Sequence, residues 1–109
     1  MPPLENKLKV KVLSDLRRLP SCWAVKIQQT SIVGTPDILA CVGGYFVALE
    51  LKRTAKDNPS PAQTYQIDKI DAAGGHAFVV CPDSWPACLA FLSQLARFHA
   101  RSLHLSPTA

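Results

Sequence analysis

The sequence predicts an α/β domain in the order α-β-β-β-α-β-α, with a four-stranded mixed sheet and helices on both faces. Three observations lead there. Residues 4–19 repeat apolar positions at helical spacing. Two apolar runs, 38–42 and 45–49, flank Gly43-Gly44, the signature of a two-residue hairpin turn. A further helical segment separates this hairpin from an apolar run at 76–81, and a strand reached through a helical crossover is expected to lie parallel to the one it left.

In the first helix Leu8, Val12, Leu13, Leu16 and Leu19 form the apolar stripe. Lys7, Lys9, Lys11, Arg17 and Arg18 cover much of the rest, and Pro20 closes the segment. Glu5 lies seven residues before Val12 and eleven before Leu16, on the stripe, either as a charge at a frayed end or as an inward-pointing functional group. Residues 22–29 read as a strand, and residues 30–35 as a loop ending in Gly34. Pro36 has no N–H to donate and marks the next strand's start. The hairpin then runs to about Arg53 and is apolar on both faces, with Ile38, Ala40, Val42, Tyr45, Val47 and Leu49 on one and Leu39, Cys41, Phe46 and Ala48 on the other. Such strands belong in a sheet covered on both sides.

Residues 54–60 form a polar loop. Ser60 followed by Pro61 starts a helix, with Ser as N-cap, and Gly74-Gly75 ends it. A short strand follows at 76–81, and residues 84–99 form the last helix. Trp85, Cys88, Leu89, Phe91, Leu92, Leu95 and Phe98 give that helix more apolar surface than one small sheet covers, so a dimer interface competes with plain core packing. Residues 1–100 are expected to be a single domain and residues 101–109 a disordered tail.

Composition narrows the function classes. Twelve Lys and Arg against eight Asp and Glu leave a net charge of +4, which permits phosphate contacts without demanding them. Cys22, Cys41, Cys81 and Cys88 make neither a CxxC pair nor a zinc-finger array, so buried reduced thiols of a cytoplasmic protein are expected. No apolar run approaches the roughly 18 residues of a membrane helix, and the N-terminus, alternating charge with Leu and Val, is unlike a signal peptide. His76, His99 and His104 are not placed near any acidic group by spacing, and Trp23 and Trp85 are expected to pack in the core rather than stack on bases.

The charges at the open end of the hairpin are the chemical signal. With Gly43-Gly44 as the turn, Val42 faces Tyr45 and, counting outward, Asp37 faces Glu50. Lys52 falls on the same face, two residues beyond Glu50. Opposed carboxylates repel across a ladder. A hard divalent cation offsets that repulsion, and a lysine beside it can orient a water. The competing account is an ordinary Glu–Lys ion pair at a strand end. Gln63 lies in the first turn of the following helix and can reach this site; Gln66 competes with it, and each is otherwise a surface glutamine.

Gly34-Thr35-Pro36-Asp37, Glu50-Leu51-Lys52, Ser60-Pro61-Ala62-Gln63 and Ala73-Gly74-Gly75, in that order and with Gln63 twelve residues ahead of Gly75, resemble the VRR-NUC (virus-type replication-repair nuclease) family of the PD-(D/E)XK nuclease superfamily. The resemblance spans about residues 4 to 82 and is to the short stand-alone members. It implies a restriction-endonuclease-like core and a Mg²⁺- or Mn²⁺-dependent endonuclease that hydrolyses DNA phosphodiesters by in-line attack of a metal-activated water. It implies that Asp37, Glu50 and the main-chain carbonyl of Leu51 bind the metal, that Lys52 positions the water, that Gln63 braces the site, and that Glu5 is the acidic residue of the first helix.

Arg53 and Lys56, on the loop just past Lys52, are the expected phosphate contacts. By analogy with the short members, the expected form is a homodimer acting on branched DNA such as four-way junctions, in the cytoplasm of a bacterial or phage-infected cell. Two readings compete: a non-catalytic DNA-binding module with a nuclease-like fold, and a subunit docking a larger replication protein through the last helix. The joint presence of Asp37, Glu50 and Lys52 argues against a pure binder.

Overall fold

The structure, a computed structural model, describes residues 4–28 and 30–97, the side chains of residues 4 and 5 excepted. The elements are α1 (Leu4–Arg17), β1 (Cys22–Lys26), β2 (Ile38–Val42), β3 (Tyr45–Leu51), α2 (Pro61–Ala72), β4 (His76–Val80) and α3 (Trp85–Arg97). The order is the expected one. The end of the last helix with Phe98, the expected tail at 101–109, and His99 and His104 lie outside the described residues.

The four strands form one sheet in the order β1-β2-β3-β4. β1 and β2, and β2 and β3, are antiparallel, whereas β3 and β4 are parallel across the α2 crossover. Val42 pairs with Tyr45 and Ile38 with Leu49, the register that a Gly43-Gly44 turn dictates. Both glycines have positive φ, as the preferred two-residue hairpin turn requires. Gly43 also has no room for a side chain, since a Cβ there would lie 2.1 Å from the Leu95 carbonyl oxygen. The hairpin tip is thereby seated on α3.

One face of the sheet carries the core. Leu8, Val12, Leu13 and Leu16 of α1 and Trp85, Leu92 and Ala96 of α3 pack against Ile38, Ala40, Val42, Val47, Leu49, Leu51 and Val80. Trp85 is 2% exposed, and its indole N–H donates to Asp15 Oδ2 at 2.8 Å, tying α3 to α1. The apolar face of α3 is thus used inside the domain; Cys88, Leu89 and Leu95 rest on the core, and Phe91 meets the rings of His76 and Phe78.

The second face is covered only in part, against the expectation of a sheet buried on both sides. Residues alternate along β3, so Phe46, Ala48 and Glu50 point away from the core, and there they meet α2. A helix that leaves β3 and returns to β4 lies over those two strands. Toward β1 the face stays open: Trp23 is 63% exposed and Cys41 is exposed, while Phe46, beside the end of α2, is still 48% exposed. Trp23 therefore does not pack in the core, and Cys41 is not a buried thiol.

Candidate active site

The open end of the hairpin, on the α2 side of the sheet, gathers the predicted charges. Glu50 is 3% exposed although it is a carboxylate at the end of a strand. Its Oε2 accepts from Gln63 Nε2 at 2.7 Å and lies 3.3 Å from Lys52 Nζ. Lys52 Nζ also donates to Gln63 Oε1 at 3.0 Å. The three side chains form a closed triangle of charge and amide. Burying a carboxylate is costly unless charged and hydrogen-bonding partners accompany it, and here both do.

Asp37 immediately precedes β2. Its Oδ2 accepts from Leu51 N at 2.8 Å, so the carboxylate sits at the peptide unit that joins Glu50 to Leu51. Its own carbonyl accepts from Ile27 N at 2.7 Å, which anchors it to the chain leaving β1. The parallel ladder continues one residue past β3, where Lys52 N donates to the Val80 carbonyl at 2.8 Å. β4 therefore fixes the direction in which the lysine leaves the sheet.

Of the predicted residues, Asp37, Glu50, Leu51, Lys52 and Gln63 converge. Arg53 and Lys56 are exposed on the adjoining loop, beside a cleft of about 360 Å³ lined in part by Lys52, Thr54, Asn58 and Val79. The Glu5 side chain lies outside the described residues. Gln66 is not part of the cluster; its Nε2 reaches the Val33 carbonyl at 3.4 Å and braces the 30–36 loop. Ser60 was legible only as a helix cap, yet it contacts Gln63 twice. The spacing Ser-x-x-Gln is the capping-box pattern and could have signalled that link.

The Asp37 and Glu50 carboxylates carry hard oxygen donors, the kind that suits Mg²⁺ or Mn²⁺. Among the described residues no three His, Cys, Asp or Glu side chains come together. Mg²⁺ commonly takes one or two carboxylates and completes its shell with waters and substrate phosphate, so Asp37 and Glu50 fit that ion.

No family model matches the sequence, and no curated protein does. The structure is similar to solved structures. One, described as "VRR_NUC domain", is 18% identical with a TM-score of 0.68, over 88% of this chain and 97% of its own. Another, "VRR_NUC domain protein", is 17% identical with a TM-score of 0.69, over 84% of this chain and 88% of its own. At such identity the likeness speaks to the fold alone: an α/β domain folded like the VRR_NUC domain structures.

Proposed function

We propose that this chain, whose fold is that of VRR_NUC domains, is a Mg²⁺- or Mn²⁺-dependent endonuclease hydrolysing DNA phosphodiester bonds. The observation that carries the reading is the Glu50–Gln63–Lys52 triangle with the Asp37 carboxylate on the adjoining peptide. A plain ion pair needs neither the second carboxylate nor the amide.

Asp37, Glu50 and the Leu51 carbonyl would hold the divalent ion, which when bound supplies Lewis acidity toward a phosphoryl oxygen and water. The protein's own contributions are positional. Lys52, fixed on two sides by Glu50 and Gln63, presents an ammonium that orients the attacking water and faces the charge that builds on the phosphoryl oxygens. Gln63 keeps Glu50 and Lys52 in register. Water adds to phosphorus as the P–O ester bond breaks, and the leaving oxygen takes up a proton. Arg53 and Lys56 contact flanking phosphates.

The same reading extends to a homodimer acting on branched DNA such as four-way junctions, in the cytoplasm of a bacterial or phage-infected cell. Among the described residues no helix is long and apolar enough to cross a membrane. The test is cleavage of labelled four-way junction, flap and linear duplex DNA in Mg²⁺, Mn²⁺ or EDTA. Metal-dependent cutting that falls at least about a hundredfold in Lys52→Ala is expected, in line with loss of a preorganised charge. Tight binding with no cutting of any substrate would replace the enzyme with a DNA-binding module.

A further inference from the structure

The first turn of α2 is used twice. Ser60 and Gln63 form a reciprocal capping box: Ser60 Oγ accepts from Gln63 N at 3.1 Å, and Gln63 Oε1 accepts from Ser60 N at 2.8 Å. In a helix that only needs capping, the amide nitrogen of such a glutamine has no further task. Here the same Oε1 also accepts from Lys52 Nζ at 3.0 Å, while Nε2 donates to Glu50 Oε2 at 2.7 Å. An amide oxygen has two lone pairs. One serves the cap and the other the lysine, so the side chain cannot turn to improve one bond without losing the other.

The turn is also held from outside. Gly34 approaches it so closely that a Cβ would lie 2.4 Å from the Ala62 carbonyl and 2.8 Å from Gln63 N. The loop that leads into Asp37 and the turn that carries Gln63 are therefore in direct backbone contact.

We infer that Ser60 is a positioning residue: its hydroxyl, by accepting from the Gln63 main-chain N–H, fixes the first turn of α2 from which the Gln63 side chain reaches, and so the placement of the Glu50 carboxylate against the Lys52 ammonium. The consequence for catalysis rests on the nuclease reading; the positioning itself does not.

Wild type, Ser60→Ala, Ser60→Thr and Asp15→Asn are compared by NMR through the Gln63 side-chain NH₂ signals, identified by their loss in Gln63→Glu. Mn²⁺ affinity of each is measured by electron paramagnetic resonance without nucleic acid. Ser60→Ala keeps the main-chain N–H that donates to Gln63 Oε1 but loses the hydroxyl that holds Gln63 N, so the turn is expected to loosen, the Gln63 signals to move toward those of a solvated glutamine, and Mn²⁺ binding to weaken about tenfold to a hundredfold, the usual loss for an outer-sphere partner. Ser60→Thr keeps the acceptor and is expected to restore both. Asp15→Asn, which loosens α1 from α3 on the opposite face of the sheet, is expected to lower the thermal midpoint and leave the Gln63 signals in place.

Unmoved Gln63 signals in Ser60→Ala overturn the inference, as do equal movements in Asp15→Asn, which would make them reporters of stability alone. Failure of the wild type to bind Mn²⁺ overturns the metal reading instead, and the amide signals still decide the role of Ser60.

Discussion

Alanine at position 34 would place its Cβ 2.4 Å from the Ala62 carbonyl, at a φ of +85° that L side chains rarely adopt. Overpacking and left-handed strain each cost about 1–3 kcal/mol. Gly34→Ala is thus expected to lose about 2–4 kcal/mol in urea unfolding and to push the α2 turn away from the sheet. A loss under about 0.5 kcal/mol, the scale of a neutral surface change, would show that loop and turn do not touch. The glycine ahead of Asp37 was legible as a point of backbone freedom. Its partner was not, because Ala62 is a small residue in a helix with no local mark of contact. Glu50 behaves similarly: its register could be counted from the hairpin turn, but its near-complete burial depends on α2 lying above it, which no local pattern states.

Between elements, α1 and α3 are joined by the contact of Asp15 with Trp85. The indole hydrogen bond holds the Asp15 carboxyl below its usual range, helped by the Lys11 ammonium at 3.0 Å and opposed by burial. Lys11 is largely exposed, so its share is small. A depressed carboxyl pKa contributes stability that is complete above the unfolded value and fades as pH falls through the folded one. Wild type is expected to exceed Asp15→Asn by about 1 kcal/mol at neutral pH, the difference between a hydrogen bond to a charged acceptor and one to the neutral amide oxygen that replaces it. The two should converge once pH drops below both carboxyl values, in urea unfolding followed by tryptophan fluorescence. A constant gap at every pH would assign the effect to packing instead of charge. This joint was not legible in the sequence, since Asp15 reads as one more polar residue on a helix and Trp85 lies seventy positions away. By contrast the helix caps, the glycine turn and the strand runs are local chemistry, and the order of elements followed from them. The half-open second face marks the limit of that logic, because apolar residues at Trp23, Cys41 and Phe46 look alike whether a helix covers them or not.

For the whole molecule, the open part of the sheet face and the proposed homodimer meet in one measurement. The exposed row of Trp23, Cys41 and Phe46 lies on the side of the sheet that carries Glu50, and β1 forms the sheet's edge. Contiguous exposed apolar surface of this kind is disfavoured in a monomer. α3, for which the sequence left an interface and core packing as alternatives, is seated on the core, so this row is a candidate surface for self-association. A two-fold pair would present two acidic clusters, an arrangement suited to paired incisions on a symmetric junction. Sedimentation equilibrium is expected to give close to twice the 11.9 kDa of one chain, and Trp23→Lys to shift the mass toward a single chain. Because Trp23 is 63% exposed, that substitution should leave the fold intact, as a retained thermal midpoint would show. A wild-type mass of one chain at micromolar concentration would remove the homodimer from the proposal. The acid–lysine cluster would be untouched by that result, since every hydrogen bond in it comes from within one chain. Junction cleavage would then have to proceed by separate incisions from a monomer, which single-turnover kinetics on a junction nicked in advance on one strand would reveal as unchanged second-strand rates.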